Sequence, residues 1–224
     1  MERWTTEDLL DLSKSIAAEI FAEKTHPWEV LPLIGDFTRS LGASLSPELF
    51  DHPSDDVWIA KSARIFPSAY IAGPCVIDEG AEVRHCAFIR GSAIIGKNAV
   101  VGNSTEIKNA ILFDGAQVPH YNYIGDSVLG FKAHMGAGAI TSNVKADKSL
   151  TVVCTPEQKW ETGMKKFGAI VGDYGEIGCN SVLNPATIIG RNANVYPLSM
   201  VRGVVPQNSI YKRRGEVVER IKIK

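Results

Sequence analysis

The sequence predicts a mainly β protein wound as a parallel β-helix, and three observations predict it. First, an apolar residue falls at every sixth position from Ile59 through Ile65, Ile71, Ile77, Val83, Ile89, Ile95 and Val101 to Ile107, and again from Val171 through Ile177, Leu183, Ile189 and Val195 to Val201. Neither a helical period of 3.6 nor a strand period of 2 produces that spacing, whereas a hexapeptide repeat does. Second, glycine often follows the apolar residue, as in Ile95-Gly96, Val101-Gly102, Ile124-Gly125, Leu129-Gly130 and Ile189-Gly190. A tight corner after each short strand needs such a residue. Third, the phase survives between the two runs with two single-residue deletions, through Leu112, Val118 and Ile124 and then Leu129 and Met135.

The elements follow in order. Residues 1–56 lack the period of six and read as a helical cap with a linker. Thr5-Thr6-Glu7-Asp8 has a hydroxyl cap and an acidic first turn, and Leu9, Leu12, Ile16, Ala17 and Ile20 form one helical stripe. His26-Pro27-Trp28 starts a second helix, continued by Val30, Leu31, Ile34, Phe37 and Leu41, with Gly42 as its stop. Ser46-Pro47-Glu48 starts a third, and Asp51 to Asp56 is the linker. This helical part is expected to cover the open first turn of the coil, whose strand edge and apolar cross-section need a partner. The β-helix occupies 57–206. Residues 142–168 interrupt it as an extruded hairpin, with arms Leu150-Thr151-Val152-Val153 and Lys159-Trp160-Glu161-Thr162. The tail 207–224 is basic, with Tyr211-Lys212-Arg213-Arg214 entering a strand or short helix.

Composition narrows the function classes. With 24 basic and 25 acidic residues the net charge is −1, which gives no electrostatic footprint for nucleic acid or a membrane surface. The four cysteines (Cys75, Cys86, Cys154 and Cys179) lie far apart without metal-finger spacing and read as reduced thiols. No leader and no membrane-length apolar run is present, so a soluble cytoplasmic protein without a bound metal is expected.

In hexapeptide-repeat proteins three hexads close one turn, and turns stack at the strand spacing of ~4.8 Å. Side chains three hexads apart therefore stack. Arg90 and Lys108 occupy the same place on successive turns, and two adjacent cations suit an anion such as phosphate. The same counting aligns Pro67, His85, Asn103, His120, Ala137, Cys179 and Pro197 on one corner. Glu106 falls one turn before Tyr123, within reach of His120. A carboxylate beside an imidazole orients it as a general base.

Three segments carry a resemblance: Val101 to Asn109, Pro119 to Asp126, and Gly136 to Asn143, with Lys165 to Gly172 beside them. Over about 57–206 the chain resembles the acetyltransferase half of the bifunctional glucosamine-1-phosphate acetyltransferase/N-acetylglucosamine-1-phosphate uridyltransferase family. It is also similar to archaeal sugar-1-phosphate nucleotidylyltransferases with acetyltransferase tails. The resemblance implies a left-handed β-helix assembled as a homotrimer, with sites between subunits and acetyl-CoA as co-substrate. It implies His120 as the base that deprotonates the amine of an amino-sugar 1-phosphate, polarised by Glu106. Arg90, Lys108 and Tyr123 would hold the sugar phosphate, Asn143 would lie near the amine, and His134 stands where the family has a sugar-contacting asparagine. The Ala137 N–H would face the oxyanion, and the coenzyme would run past Cys179 and Pro197. His134, Val144 and Cys179 depart from the family's pattern. The family's Gly-x-Gly-Thr-x-Met phosphate loop has no counterpart, so uridylyl transfer by this chain alone is not expected, and a separate nucleotidyltransferase is a candidate partner for the helical cap.

Two rivals stand beside this reading. One is a sugar-phosphate or sugar-nucleotide binding module without turnover. The other is a γ-type carbonic anhydrase-like protein. His85 and His120 have close to its spacing, but two turns separate them by ~9–10 Å, too far to share one zinc. The position of its third histidine holds Gly125.

Overall fold

The computed structural model of the protein describes residues 4–155, 157–213 and 215–220. It is a parallel β-solenoid, the left-handed β-helix expected above. The hexad anchors set the register. Ile59 pairs with Ile77 and Ile77 with Ile95, eighteen residues apart. Ile95 then pairs with Leu112 and Leu112 with Leu129, seventeen apart, so each deletion removes one residue from one coil. Leu129 pairs with Val171 across the insertion, and Val171 with Ile189 restores eighteen. The anchors point inward and form one continuous apolar column, with Ile77, Ile95, Ile107, Leu129, Val171 and Val201 fully buried.

Each coil presents three faces, and the outward residue just before each anchor gives every face its character. On the first face that row is Trp58, Val76, Ile94, Ile111, Val128, Ile170, Ile188 and Val204, apolar throughout. On the second it is mostly polar, running through Arg64, Glu82, Gln117, His134, Glu176 and Asn194. On the third it is Tyr70, Phe88, Glu106, Tyr123, Ile140, Val182 and Met200.

The apolar first face explains where the N-terminal segment goes. Trp4, Leu9, Leu10, Ile20, Phe21, Trp28, Leu31 and Ile34 pack on Ile94, Ile111, Val128, Ile170 and Ile188. The segment therefore lies along the flank of the solenoid and does not close its open end. That end is edged instead by the strand Phe50–Ser54, antiparallel to Val57–Ala60, so the expected linker is a strand. The first-coil anchors Ile59, Ile65 and Ile71 stay only half-buried.

The N-terminal segment also differs in form. Thr5 makes the expected hydroxyl cap, accepting from the Asp8 N–H at 3.2 Å, and Asp8 reciprocates by accepting from the Thr5 N–H at 3.1 Å, but the α-helix ends at Leu9. Asp173 on the solenoid captures the next turn: its carboxylate accepts from the Asp11 N–H at 2.8 Å, and its own N–H donates to the Leu9 carbonyl at 3.0 Å. The stripe that reads as one helix is thus a short α-turn followed by 3₁₀ turns at Leu12–Lys14 and Ala18–Phe21. Pro27–Leu33 is 3₁₀, with Pro32 inside it, before the α-helix Ile34–Ser44. Gly42 does not stop that helix. It lies inside it because Trp58 packs where a side chain would stand. Ser46-Pro47-Glu48 is a turn closed by Phe50 N–H on the Ser46 carbonyl at 3.0 Å, not a helix.

The insertion does contain a hairpin, Val152–Cys154 against Lys159–Glu161. It folds back and is not extruded: Val153 is fully buried, and Trp160 packs edge-on against Trp28 with ring centroids 6.4 Å apart. At the far end Ser209–Arg213 and Glu216–Glu219 form a closing antiparallel hairpin, while Arg214 and 221–224 of the expected basic tail lie outside the described residues. Among the described residues no helix is long and apolar enough to cross a membrane.

Candidate active site

Beyond the first coil, most corners turn through a residue with positive φ. On the corner between the second and third faces these are Cys86, Ser104, Tyr121, Gly138, Asn180 and Leu198. Each follows a member of the stack that the sequence aligns. Hydrogen bonds bind that stack together: Ser104 N–H to His85, Tyr121 N–H to Asn103, Gly138 N–H to His120, Asn180 N–H to Ala137 and Leu198 N–H to Cys179, all onto carbonyls at 2.8–3.1 Å. His120, Ala137, Cys179 and Pro197 therefore line one edge of the molecule. His120 is exposed, and among the described residues its ring makes no hydrogen bond. The Ala137 N–H likewise meets no acceptor there.

Asn122 fixes this edge, and sequence reading gave it no role. Its side chain is buried and accepts from the His120 N–H at 3.1 Å, while its amide donates to the carbonyls of Gly136 at 2.8 Å and Ala139 at 2.9 Å. It thereby locks the His120 turn to the Ala137 turn of the next coil.

The second half of the site comes from the two deletions. They fall between Ile107 and Leu112 and between Ile124 and Leu129, at the corner from the third face to the first. There the strands fuse into Glu106–Leu112 and Tyr123–Leu129, bent at Asn109 and Asp126, with φ of 50° and 49°. Asparagine and aspartate tolerate that conformation better than other side-chain-bearing residues. The shortening stacks them: the Asn109 amide donates to Asp126 Oδ1 at 2.9 Å. Lys108 Nζ reaches the same oxygen at 2.8 Å, and the Asn143 amide donates to Asp126 Oδ2 at 2.5 Å and to the Tyr123 hydroxyl at 3.2 Å. Tyr123 lies flat along its strand because residue 125 is glycine. A methyl there would stand 2.5 Å from the Tyr123 hydroxyl oxygen.

Arg90 and Lys108 do stack on adjacent strands, but their head groups diverge. Arg90 Nη1 donates to Glu106 Oε1 at 2.7 Å, and Lys108 turns to Asp126. Each cation still has unused N–H donors for an anion. The Glu106 pair holds the Arg90 guanidinium above its ordinary pKa. Burial raises the Tyr123 phenol, and the charges of Asp126 and Glu106 push it further, so it is a neutral donor at ordinary pH.

Arg90, Glu106, Lys108, Tyr123 and Asn143 thus share one region, next to the edge that carries His120. Two expected features differ. Glu106 lies on Arg90, with no hydrogen bond to His120, because it projects from the third face while His120 ends the second. His134 is at the start of the second face, on another corner, and its Nδ1 meets Glu176 Oε2 at 2.9 Å. Sequence reading missed Asp126, Asn109 and Asn122; the seventeen-residue spacing was the available signal for the first two. Among the described residues no three His, Cys, Asp or Glu side chains group so as to hold a metal ion.

Comparison with known proteins supplies relatives. The family model for the GMPPB C-terminal domain matches residues 71–155. The chain is 33% identical over 170 residues to the putative uncharacterized acetyltransferase YaiX of Escherichia coli, covering 76% of this chain and 74% of that one. It is 31% identical over 195 residues to the bifunctional protein GlmU of Methanococcus maripaludis, covering 86% of this chain and 47% of the relative. A bifunctional sugar-1-phosphate nucleotidylyltransferase/acetyltransferase of Sulfurisphaera tokodaii is 30% identical over 160 residues, covering 63% of this chain and 40% of that one. The chain spans about half the length, or less, of these two bifunctional relatives. Among solved structures the acetyltransferase domain of PglB from Neisseria gonorrhoeae matches at 14% identity and a TM-score of 0.34 over 69% of this chain and 54% of that one, too remote to bear on function.

Proposed function

Since the chain belongs to the hexapeptide-repeat, left-handed β-helix acyltransferases, we propose that it moves an acetyl group from acetyl-CoA to the amine of an amino-sugar 1-phosphate. What supports this most is one juxtaposition. The edge bearing a free imidazole at His120 and a free N–H at Ala137 runs beside the Arg90, Lys108, Tyr123 and Asn143 group. Arg90 and Lys108 retain donors for the phosphate, and Tyr123 supplies a neutral hydroxyl. His120 takes the proton that the amine sheds as its nitrogen attacks the thioester carbonyl. The Ala137 N–H receives the developing oxyanion. The carbon–sulfur bond then breaks, the thiolate takes the proton back from His120, and the amide remains. Ala137, Cys179 and Pro197 give the coenzyme a row of small side chains to lie along.

A thiol-release assay with acetyl-CoA and glucosamine 1-phosphate tests this reading. H120A should lose turnover by at least a hundredfold, the usual contribution of a positioned base. Turnover that survives the substitution ends the assignment. Binding of the sugar phosphate without any thiol release favours the non-catalytic module, the reading that the absent Glu106–His120 bond supports.

A further inference from the structure

Asp126 lies in the solenoid corner with its side chain only 4% exposed. A buried charge persists where donors satisfy it and fixes the orientation of those donors. Lys108 and Asn109 share Oδ1, and Asn143 takes Oδ2. An ionised carboxylate only accepts, so the Asn143 group facing it is the NH₂ and not the carbonyl. The Asn143 carbonyl oxygen is thereby turned away from Asp126 and left to accept an N–H. The same NH₂ donates to the Tyr123 oxygen, which leaves the Tyr123 proton free to donate outward. Asn109 carries the arrangement into the N-terminal segment: its amide nitrogen also donates to the Leu31 carbonyl at 3.1 Å.

We propose that Asp126 and Asn109 are positioning residues, which set the amide orientation of Asn143 and the place of Lys108 for the acceptor, with the N-terminal segment as their anchor. The inference rests on the acceptor site proposed above. It gives the segment packed on the first face a part in the site as well as in stability.

The test compares the full-length wild type with D126N, N109G and N192G, by calorimetric binding of glucosamine 1-phosphate and by steady-state kinetics. Asn192 is the control: it has the same left-handed backbone, with φ of 55°, on another corner, and its amide donates to Asn208 at 3.2 Å. D126N and N109G should each weaken acceptor binding and raise the acceptor KM on the order of tenfold, the scale of one lost hydrogen bond to a charged group. KM for acetyl-CoA should hold in both, and N192G should change neither. Glycine adopts the backbone of residue 109 without strain, so N109G decides the matter alone if D126N fails to fold. Wild-type affinity in both variants, or equal losses in N192G, overturns the positioning role. A wild type that binds the acceptor without turning it over removes the transferase reading but leaves the binding comparison standing. A wild type that does not bind it overturns both.

Discussion

At the scale of single residues, Gly125 shows how a missing side chain builds a site. The Tyr123 ring occupies the space a methyl would take, and that posture brings its hydroxyl to Asn143. G125A should lift the ring, break that contact and weaken acceptor binding about tenfold. A Y123A background removes the three atoms nearest that methyl, so G125A should there change binding no further; calorimetry on the four proteins checks both. The residues that stood out in the sequence did so through chemistry that a fixed period aligns: Arg90 over Lys108, and His120 over Ala137. Asp126 did not, because aspartate after glycine is ordinary turn chemistry. Only its stacking on Asn109 and its burial reveal a buried charge. The place of Glu106 was legible, as the strand partner of Tyr123, but its contact was not. Which of two neighbours a long side chain chooses depends on rotamers rather than on register.

Among the elements, the solenoid strands were legible down to their pairing, since six-residue spacing leaves one register. The N-terminal segment was not. Apolar residues at helical spacing suit a continuous helix and a chain of separate turns equally, and Asp173 decides between them by capturing the backbone after Leu9. Its resting place was nevertheless written in the sequence, in the apolar residue before every third anchor from Trp58 to Val204. Gly42 belongs to this scale. Alanine in a helix normally stabilises by up to about 1 kcal/mol over glycine, yet here the methyl would collide with the Trp58 ring. G42A should therefore lower Tm, by about 2–4 °C for each kcal/mol of overpacking, and thermal unfolding followed by circular dichroism reads the sign.

For the whole molecule, the three faces have different fates. The N-terminal segment covers the first and the second is polar, but the third carries Tyr70 at 63% and Met200 at 55% exposure, and the adjoining corner carries Leu198 at 81%. Apolar side chains exposed toward both ends of one side of the rod, with the Arg90–Glu106 pair between them, are a surface that further copies of the chain would bury, and a homotrimer is the proposed assembly. Sedimentation should find three chains together. L198D should release single chains, since aspartate suits the left-handed backbone there but not an apolar contact. A wild-type monomer, or a trimer indifferent to L198D, would refute the proposed assembly.

The two poles of the rod are unequal, with a hairpin across one and half-bare isoleucines at the other. Both poles keep strands with one free backbone edge, but an antiparallel strand stands at each, Phe50–Ser54 at one and Glu216–Glu219 at the other. A second copy stacked end-on in the parallel register would meet an antiparallel strand on one face at either pole, which works against the coil running on from one chain into the next.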